Sequence, residues 1–225
     1  MRVAVEQKEN PMRIVSAVSL PIPEIKVIRF RRFMDQRGYF TEPFRSSVLF
    51  EHPGLVQSFK GVRFQQSNES LSKSGVMRGL HFQWNPCMGK MVRTLRGHMY
   101  DIVLDIRKGS PTFGRVIIHD MPYSPTDDHS EWIWVPPGFA HGNFFTEESQ
   151  IEYFCSGEYS QGCEAGISPL AGDIDWSLCD PALKSMFDAF VASPNLLMTD
   201  KDRNGLSVAA WASDSRYDNF VFATP

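Results

Sequence analysis

Between about Glu24 and Ile174 the chain consists almost wholly of short runs of β-branched and aromatic residues, each closed by a turn signal. This constrains the fold more than any other feature. The alternation predicts strands at Ile25–Phe30, Gly61–Ser67, Lys90–Arg96, Met99–Arg107, Gly114–Met121, Glu131–Val135 and Ile151–Ser156. The breaks are Asp35-Gln36-Arg37-Gly38, Asn85-Pro86, Arg96-Gly97, Lys108-Gly109-Ser110-Pro111, Ser124-Pro125 and Pro136-Pro137-Gly138. Closely spaced strands with no helical pattern between them argue for an all-β, antiparallel sandwich or barrel in a single domain, and an antiparallel jelly-roll barrel is the expected form. Helical spacing is confined to the flanks, at Ser46–Glu51 and Asp180–Val191, where Leu183, Met186, Phe187 and Phe190 recur on one face. The chain divides into an N-terminal arm (1–24), the barrel (25–176) and a C-terminal helical segment with a tail (177–225). The first twenty residues and the tail after Arg203 read as appended arms.

With 225 residues, 42% of them hydrophobic and 22% charged, there is enough chain for a sizeable core. A net charge of −3 gives no bulk field for nucleic acid or an anionic membrane, so neither is an expected partner. No apolar run approaches a membrane span. The polar stretch Met1–Asn10 lacks the apolar core of an export signal, which makes the cytoplasm the expected compartment. The four cysteines, Cys87, Cys155, Cys163 and Cys179, form no CxxC pair and are expected as free thiols.

Two blocks carry the candidate chemistry: Arg78-Gly79-Leu80-His81-Phe82-Gln83 and Pro136-Pro137-Gly138-Phe139-Ala140-His141. Between them lie Lys90, Asp101 and Asp105. Two histidines, a lysine and carboxylates converging on one concave site would make an apparatus for moving protons. On a regular strand Arg78, Leu80 and Phe82 face one way, and Met77, Gly79, His81 and Gln83 the other. His81 read alone is equally a satisfied core histidine, and His141 a residue that caps a turn. Lys90, Arg78, Arg93 and Arg37 could form an anion pocket, or could pair with Asp101, Asp105 or Glu42. Trp132 and Trp134 share one strand face, as core or as subunit interface. No His-x-His pair or other ligand pattern points to a metal.

Taken together, several blocks resemble the dTDP-4-dehydrorhamnose 3,5-epimerase family of metal-free, cupin-type barrels. They are Asp35-Gln36-Arg37-Gly38-Tyr39-Phe40, Gln66-Ser67-Asn68-Glu69-Ser70, Gly75 to Gln83, Gly89-Lys90-Met91-Val92-Arg93, Tyr100 to Arg107, Ser110-Pro111-Thr112-Phe113-Gly114 and Trp134 to Gly142. The resemblance covers about two-thirds of the chain. It implies a substrate that is a nucleoside-diphosphate 4-keto-6-deoxy sugar, no cofactor, and a homodimer. The keto group acidifies the sugar protons at carbons 3 and 5; a base removes one, an enolate forms, and an acid returns a proton from the opposite face. By matching position, the resemblance makes His81 the base, Asp202 its partner in the pair Lys201-Asp202, and Lys90 the group that stabilises the enolate. Arg37, Glu42, Gln66, Asn68, Arg78, Gln83, His141, Tyr159, Glu164 and Lys201 match substrate-binding positions. The acid is Tyr153 if the preceding hairpin is one residue shorter than the family's, or the position is held by Phe154 if it is not. Three departures stand out: Gln66-Ser67-Asn68 lacks the carboxylate expected at its centre, the stretch from Leu178 to Leu197 is longer than usual, and both ends are extended. Epimerisation at a single carbon, a GDP- or CDP-linked substrate, and a catalytically silent sugar-nucleotide-binding protein stay open as alternatives.

Overall fold

Two antiparallel sheets face each other in the computed structural model, which describes residues 14–222. The arm up to residue 13, including the stretch read for an export signal, and residues 223–225 lie outside the described residues. The strands are β1 (Ile14–Ser19), β2 (Lys26–Arg31), β3 (Phe33–Asp35), β4 (Gly38–Phe40), β5 (Gln66–Ser72), β6 (Met77–Gln83) and β7 (Lys90–Arg96). They continue with β8 (His98–Asp105), β9 (Val116–Pro122), β10 (His129–Val135), β11 (Phe139–Phe144), β12 (Ser149–Cys155) and β13 (Glu164–Gly166). The helices are α1 (Ser46–Glu51), α2 (Pro181–Val191), α3 (Asp200–Arg203) and α4 (Val208–Ala212), followed by a 3-10 turn at Ser215–Asn219.

The six-stranded sheet runs β1-β2-β10-β7-β12-β5 and the five-stranded sheet β13-β6-β11-β8-β9; β3 and β4 pair apart as a hairpin. Both sheets are covered on both faces. Between them lie Val92, Met99, Val103, Ile117, Ile133, Phe139 and Ile151. Outside the larger sheet, α1 and the segment through Phe64 pack Leu49, Leu55 and Phe59 onto Ile28, Phe30, Met91, Trp132 and Trp134. Outside the smaller sheet, the C-terminal segment packs Phe187, Val208, Trp211 and Phe220 onto Leu80, Phe82, Ile102 and Phe144. Double coverage explains why β8 from Met99 onward and the whole of β11 are buried without alternation.

The strand at Gly61–Ser67 is displaced. Gly61 sits in a turn at φ +75 and the strand runs Gln66–Ser72 instead. Its polar sequence hides it from a hydrophobic reading because its inner face meets a cavity rather than core. Trp132 and Trp134 are fully buried under α1, which removes them as interface surface. The tail after Arg203 is no loose arm either: Trp211 is 0% exposed and its Nε1 donates to the Ile106 carbonyl at 3.0 Å. The four cysteines are free. No helix of the described residues is long and apolar enough to cross a membrane.

Candidate active site

At β6 one extra residue decides which side chains reach the cavity. β11 pairs with β6 as His141↔His81 and Asn143↔Arg78, so Gly79 and Leu80 together oppose Gly142. This bulge shifts the alternation. Arg78 and His81 both reach the cavity, while Met77, Leu80 and Phe82 enter the outer core. The simple alternation, with Arg78 on the Phe82 face and Met77 on the His81 face, fails at this point. Only glycine fits there. Gly79 has φ +113, and a Cβ would lie 2.6 Å from Gly142 Cα and 2.8 Å from the His141 carbonyl oxygen. Gly79→Ala should therefore cost about 1–3 kcal/mol in urea unfolding, from the strained conformation and the backbone clash. A loss under roughly half a kcal/mol would mean that the bulge is not tight.

His81 Nε2 lies 2.6 Å from Asp202 Oδ1. A parallel bridge between Val76 and Leu197 leads the chain to α3, where Thr199 Oγ1 accepts from the Asp202 amide at 3.2 Å. That cap turns Asp202 inward (5% side-chain exposure) and Lys201 outward. Burial raises the Asp202 carboxyl, but hydrogen bonding and charge from His81, with bonds from Thr199 and Gly79, outweigh it and hold the group below its ordinary value. Despite the long stretch from Leu178 to Leu197, Asp202 reaches its partner.

Opposite stands β12. Tyr153 pairs with Val92 and Asn68, with its side chain inside the barrel; Phe154 points out, stacked on Trp132 at 5.2 Å between ring centroids. The alternative left open by the one-residue gap thus closes on Tyr153 as the cavity residue. Burial raises its phenol, the neighbouring Cys155 adds to this, and Asn68 and Arg78 offset part. Lys90 lines the same cavity; burial lowers its ammonium, opposed by Cys155, Asp101 and Glu164. His81 borders three adjoining spaces. One holds Lys90, Tyr153, Arg78 and His141; one of about 220 Å³ holds Gln66, Asn68, Tyr159 and Glu164; one of about 570 Å³ has Leu196, Leu197 and Met198 in its wall.

The remaining predicted residues divide into two groups. Glu164 Oε1 accepts from Lys201 Nζ at 2.8 Å and from the Tyr159 hydroxyl at 3.1 Å. The Lys201 bond is the largest influence holding the Glu164 carboxyl low. Gln66 Oε1 accepts from the Tyr159 amide, and its Nε2 donates to Asn68. Gln83 spends itself on backbone: it donates to the Pro86 and Glu158 carbonyls and accepts from the Ser160 amide, bracing the Tyr159 loop.

Arg37 stands outside the cavity, 84% exposed and paired with Asp35 on the β3–β4 hairpin, and Glu42 is held by Arg45. Arg93 points outward, bound to Glu152 and lying over Trp132. Asp105 is fully buried and consumed by Arg107, Ser110 and Thr112. The anion pocket thus keeps Arg78 and Lys90 and loses Arg37 and Arg93. Ser67 opposes Phe154 on the outer face, so the missing carboxylate takes nothing from the cavity.

Two inner residues escaped the sequence reading. Cys155 shares Tyr153's face two positions on, and Asn143 shares that of His141; period two was the signal for both. Among the described residues no group of three or more His, Cys, Asp or Glu side chains could hold a metal ion.

An antiparallel jelly roll holding a His–Asp pair, a facing tyrosine and a buried lysine in one polar cavity defines a cupin-type barrel equipped for acid–base chemistry. The family model described as dTDP-4-dehydrorhamnose 3,5-epimerase matches residues 19–209, and the chain belongs to that family. The dTDP-4-dehydrorhamnose 3,5-epimerase of Shigella flexneri is 33% identical over 195 residues, covering 85% of this chain and 94% of the relative. That of Methanothermobacter thermautotrophicus is 37% identical over 176 residues, covering 76% and 83%. The crystal structure of a dTDP-6-deoxy-D-glucose-3,5-epimerase from Legionella pneumophila, in complex with dTDP-4-keto-L-rhamnose, is similar at TM-score 0.74. It is 27% identical, covering 93% of this chain and 99% of that one. A 3′-monoepimerase from Streptomyces bikiniensis, in complex with dTDP-quinovose, is similar at TM-score 0.67 and 26% identity, covering 86% and 88%.

Proposed function

We propose that this chain inverts carbons 3 and 5 of a dTDP-linked 4-keto-6-deoxy sugar by proton removal and return through an enolate. The observation that carries the reading is the 2.6 Å His81–Asp202 pair sharing one cavity with Tyr153 and Lys90. Asp202 holds the His81 ring in one orientation toward the cavity, where it serves as base. Lys90 is held beside the developing enolate oxygen, where fixed charge in a dry site contributes most. Tyr153, its phenol raised by burial, keeps its proton at neutral pH and serves as acid. Arg78 meets the diphosphate; Gln66, Asn68, His141, Tyr159, Glu164 and Lys201 hold the sugar and nucleoside. No cofactor enters the scheme.

Tyr153→Phe tests it. With the dTDP-4-keto sugar supplied, proton removal should persist while inverted product falls by about 10²–10⁴-fold, the usual contribution of a general acid. Undiminished epimerisation would assign the acid to another group. A second reading, inversion at carbon 3 alone, is favoured by the fold similarity to the Streptomyces bikiniensis 3′-monoepimerase, and the number of carbon positions inverted separates the two.

The working unit is proposed to be a homodimer. Phe33, Met34, Tyr39 and Phe40 expose between 39% and 63% of their surface on and beside the hairpin that carries Arg37. Such an apolar patch calls for a cover, and a second copy would bring Arg37 and Glu42 to a neighbour's site. Light scattering at micromolar concentration should give twice the 25.6 kDa chain mass, and a monomer there would remove this part of the proposal.

A further inference from the structure

A second histidine–carboxylate pair lies deeper in the barrel than the first. Asp101, on β8, is 0% exposed. Its Oδ2 accepts from His141 Nε2 at 2.7 Å and from Asn143 Nδ2 at 3.0 Å, whereas Oδ1 has no hydrogen-bond partner. Asn143 stands directly opposite Asp101 across the β11–β8 pairing and His141 is two residues away on the same inner face, so His141 reaches Asp101 diagonally. A fully buried carboxylate with one bare oxygen needs compensating positive charge nearby.

The charged and titratable groups around Asp101 leave one source. From β9, His119 stands opposite Asp101, but its Nε2 is spent on Glu131 Oε1 at 2.8 Å on β10. Glu131 Oε2 is in turn held by Arg29 Nε at 2.7 Å on β2. That triad satisfies itself. From β6, His81 has its own carboxylate in Asp202. From β7 comes Lys90, which lines the same space as His141 and counts Asp101 among the groups opposing loss of its proton.

We propose that Asp101 is a positioning residue: it fixes His141 as the Nε2–H tautomer, with Nδ1 left as acceptor, and it sets a carboxylate beside the space that holds Lys90. The kinetic part rests on the epimerase reading; the placement of the imidazole proton does not. Which ring nitrogen carries a proton is set by the partner of the other. Asp101 Oδ2 accepts from both His141 and Asn143, and this leaves the His141 ring one orientation and one tautomer. The arrangement gives the keto oxygen a fixed cation at Lys90 and the neighbouring sugar hydroxyl an acceptor at His141.

Asp101→Leu keeps approximate size and removes the charge together with the oxygen that accepts from both His141 and Asn143. His141 Nε2–H then has no acceptor, so the tautomer should change. Nitrogen-15 NMR of histidine-labelled protein without substrate should show His141 as Nε2–H in the wild type and as Nδ1–H or a mixture in the variant. In turnover, kcat should fall on the order of 10²-fold with KM little changed. The alkaline fall-off should move to lower pH, because Lys90 loses a negative neighbour. A role in folding alone would leave that limb in place. An Nδ1–H His141 in the wild type, or a variant with wild-type tautomer and pH profile, would overturn the proposal. The wild-type tautomer needs no variant, so poor folding of Asp101→Leu leaves that result decisive. A wild type that turns over no 4-keto sugar would remove the epimerase reading, while the NMR result still judges Asp101.

Discussion

Replacing His81 with asparagine should reduce sugar-proton exchange by about 10²–10⁴-fold, the range general bases contribute, while leaving the fold intact. Asparagine keeps approximate size and a polar tip. Its amide stops short of the Nε2 position that reaches Asp202, but the Gly79 amide still donates to that carboxylate, so the group at 5% side-chain exposure keeps a partner. What disappears is the imidazole nitrogen that accepts the sugar proton. Binding of the nucleoside diphosphate should change little, since Gln66, Tyr159, Glu164 and Lys201 form a separate network. The check is exchange measured by proton NMR alongside thermal unfolding. Exchange within roughly tenfold of wild type, above the smallest loss expected of a base, would move that role away from His81.

The largest stability effect is expected at Asp105, which sequence reading placed among the candidates for chemistry. Asp105 accepts from the Arg107 amide, Nε and a terminal nitrogen, and from the hydroxyls of Ser110 and Thr112 at 2.6 Å each. Arg107 also binds Glu24 at 2.7 Å and lies over the rings of Phe139 and Phe222. Asp105→Asn strands a buried guanidinium without its main partner, and breaking such a pair costs about 3–5 kcal/mol. Burial raises the Asp105 carboxyl, but Arg107, Ser110 and Thr112 outweigh it and hold it below the ordinary 3.8. For a carboxyl depressed in this way, the stabilisation is complete above the unfolded value and is lost as pH falls through the folded one. The variant should therefore lose most at neutral pH and differ least in strong acid. Urea unfolding at neutral pH and near pH 2 measures both; an equal difference at the two would refute the account.

The architecture was legible because its strands announce themselves by alternation and its turns by glycine and proline. β7 falls at Lys90–Arg96 as the alternation predicts. Alternation failed where physics other than core burial sets the sequence. β5 is polar because it lines a cavity, and the faces of β6 are swapped by the bulge at Gly79. His81 and Lys90 could be read together through the family resemblance, whereas Tyr153 stayed open against Phe154 until the strand register turned Tyr153 inward. Their convergence with Asp202 could not be read from pattern, since it depends on a chain reversal through Leu197 and a four-residue helix. Asp105 misled for the opposite reason. A carboxylate in a strand looks the same in sequence whether it faces a substrate or an arginine two residues on.

The central claim is that this cavity removes protons from carbons beside a ketone. Its most direct test is incubation of the wild-type protein with dTDP-4-keto-6-deoxyglucose in deuterium oxide, read by NMR of the recovered sugar. The account predicts deuterium at both carbons 3 and 5, with the configuration inverted at each. Full retention of both carbon-bound protons, in protein shown to bind the nucleotide sugar, would contradict it.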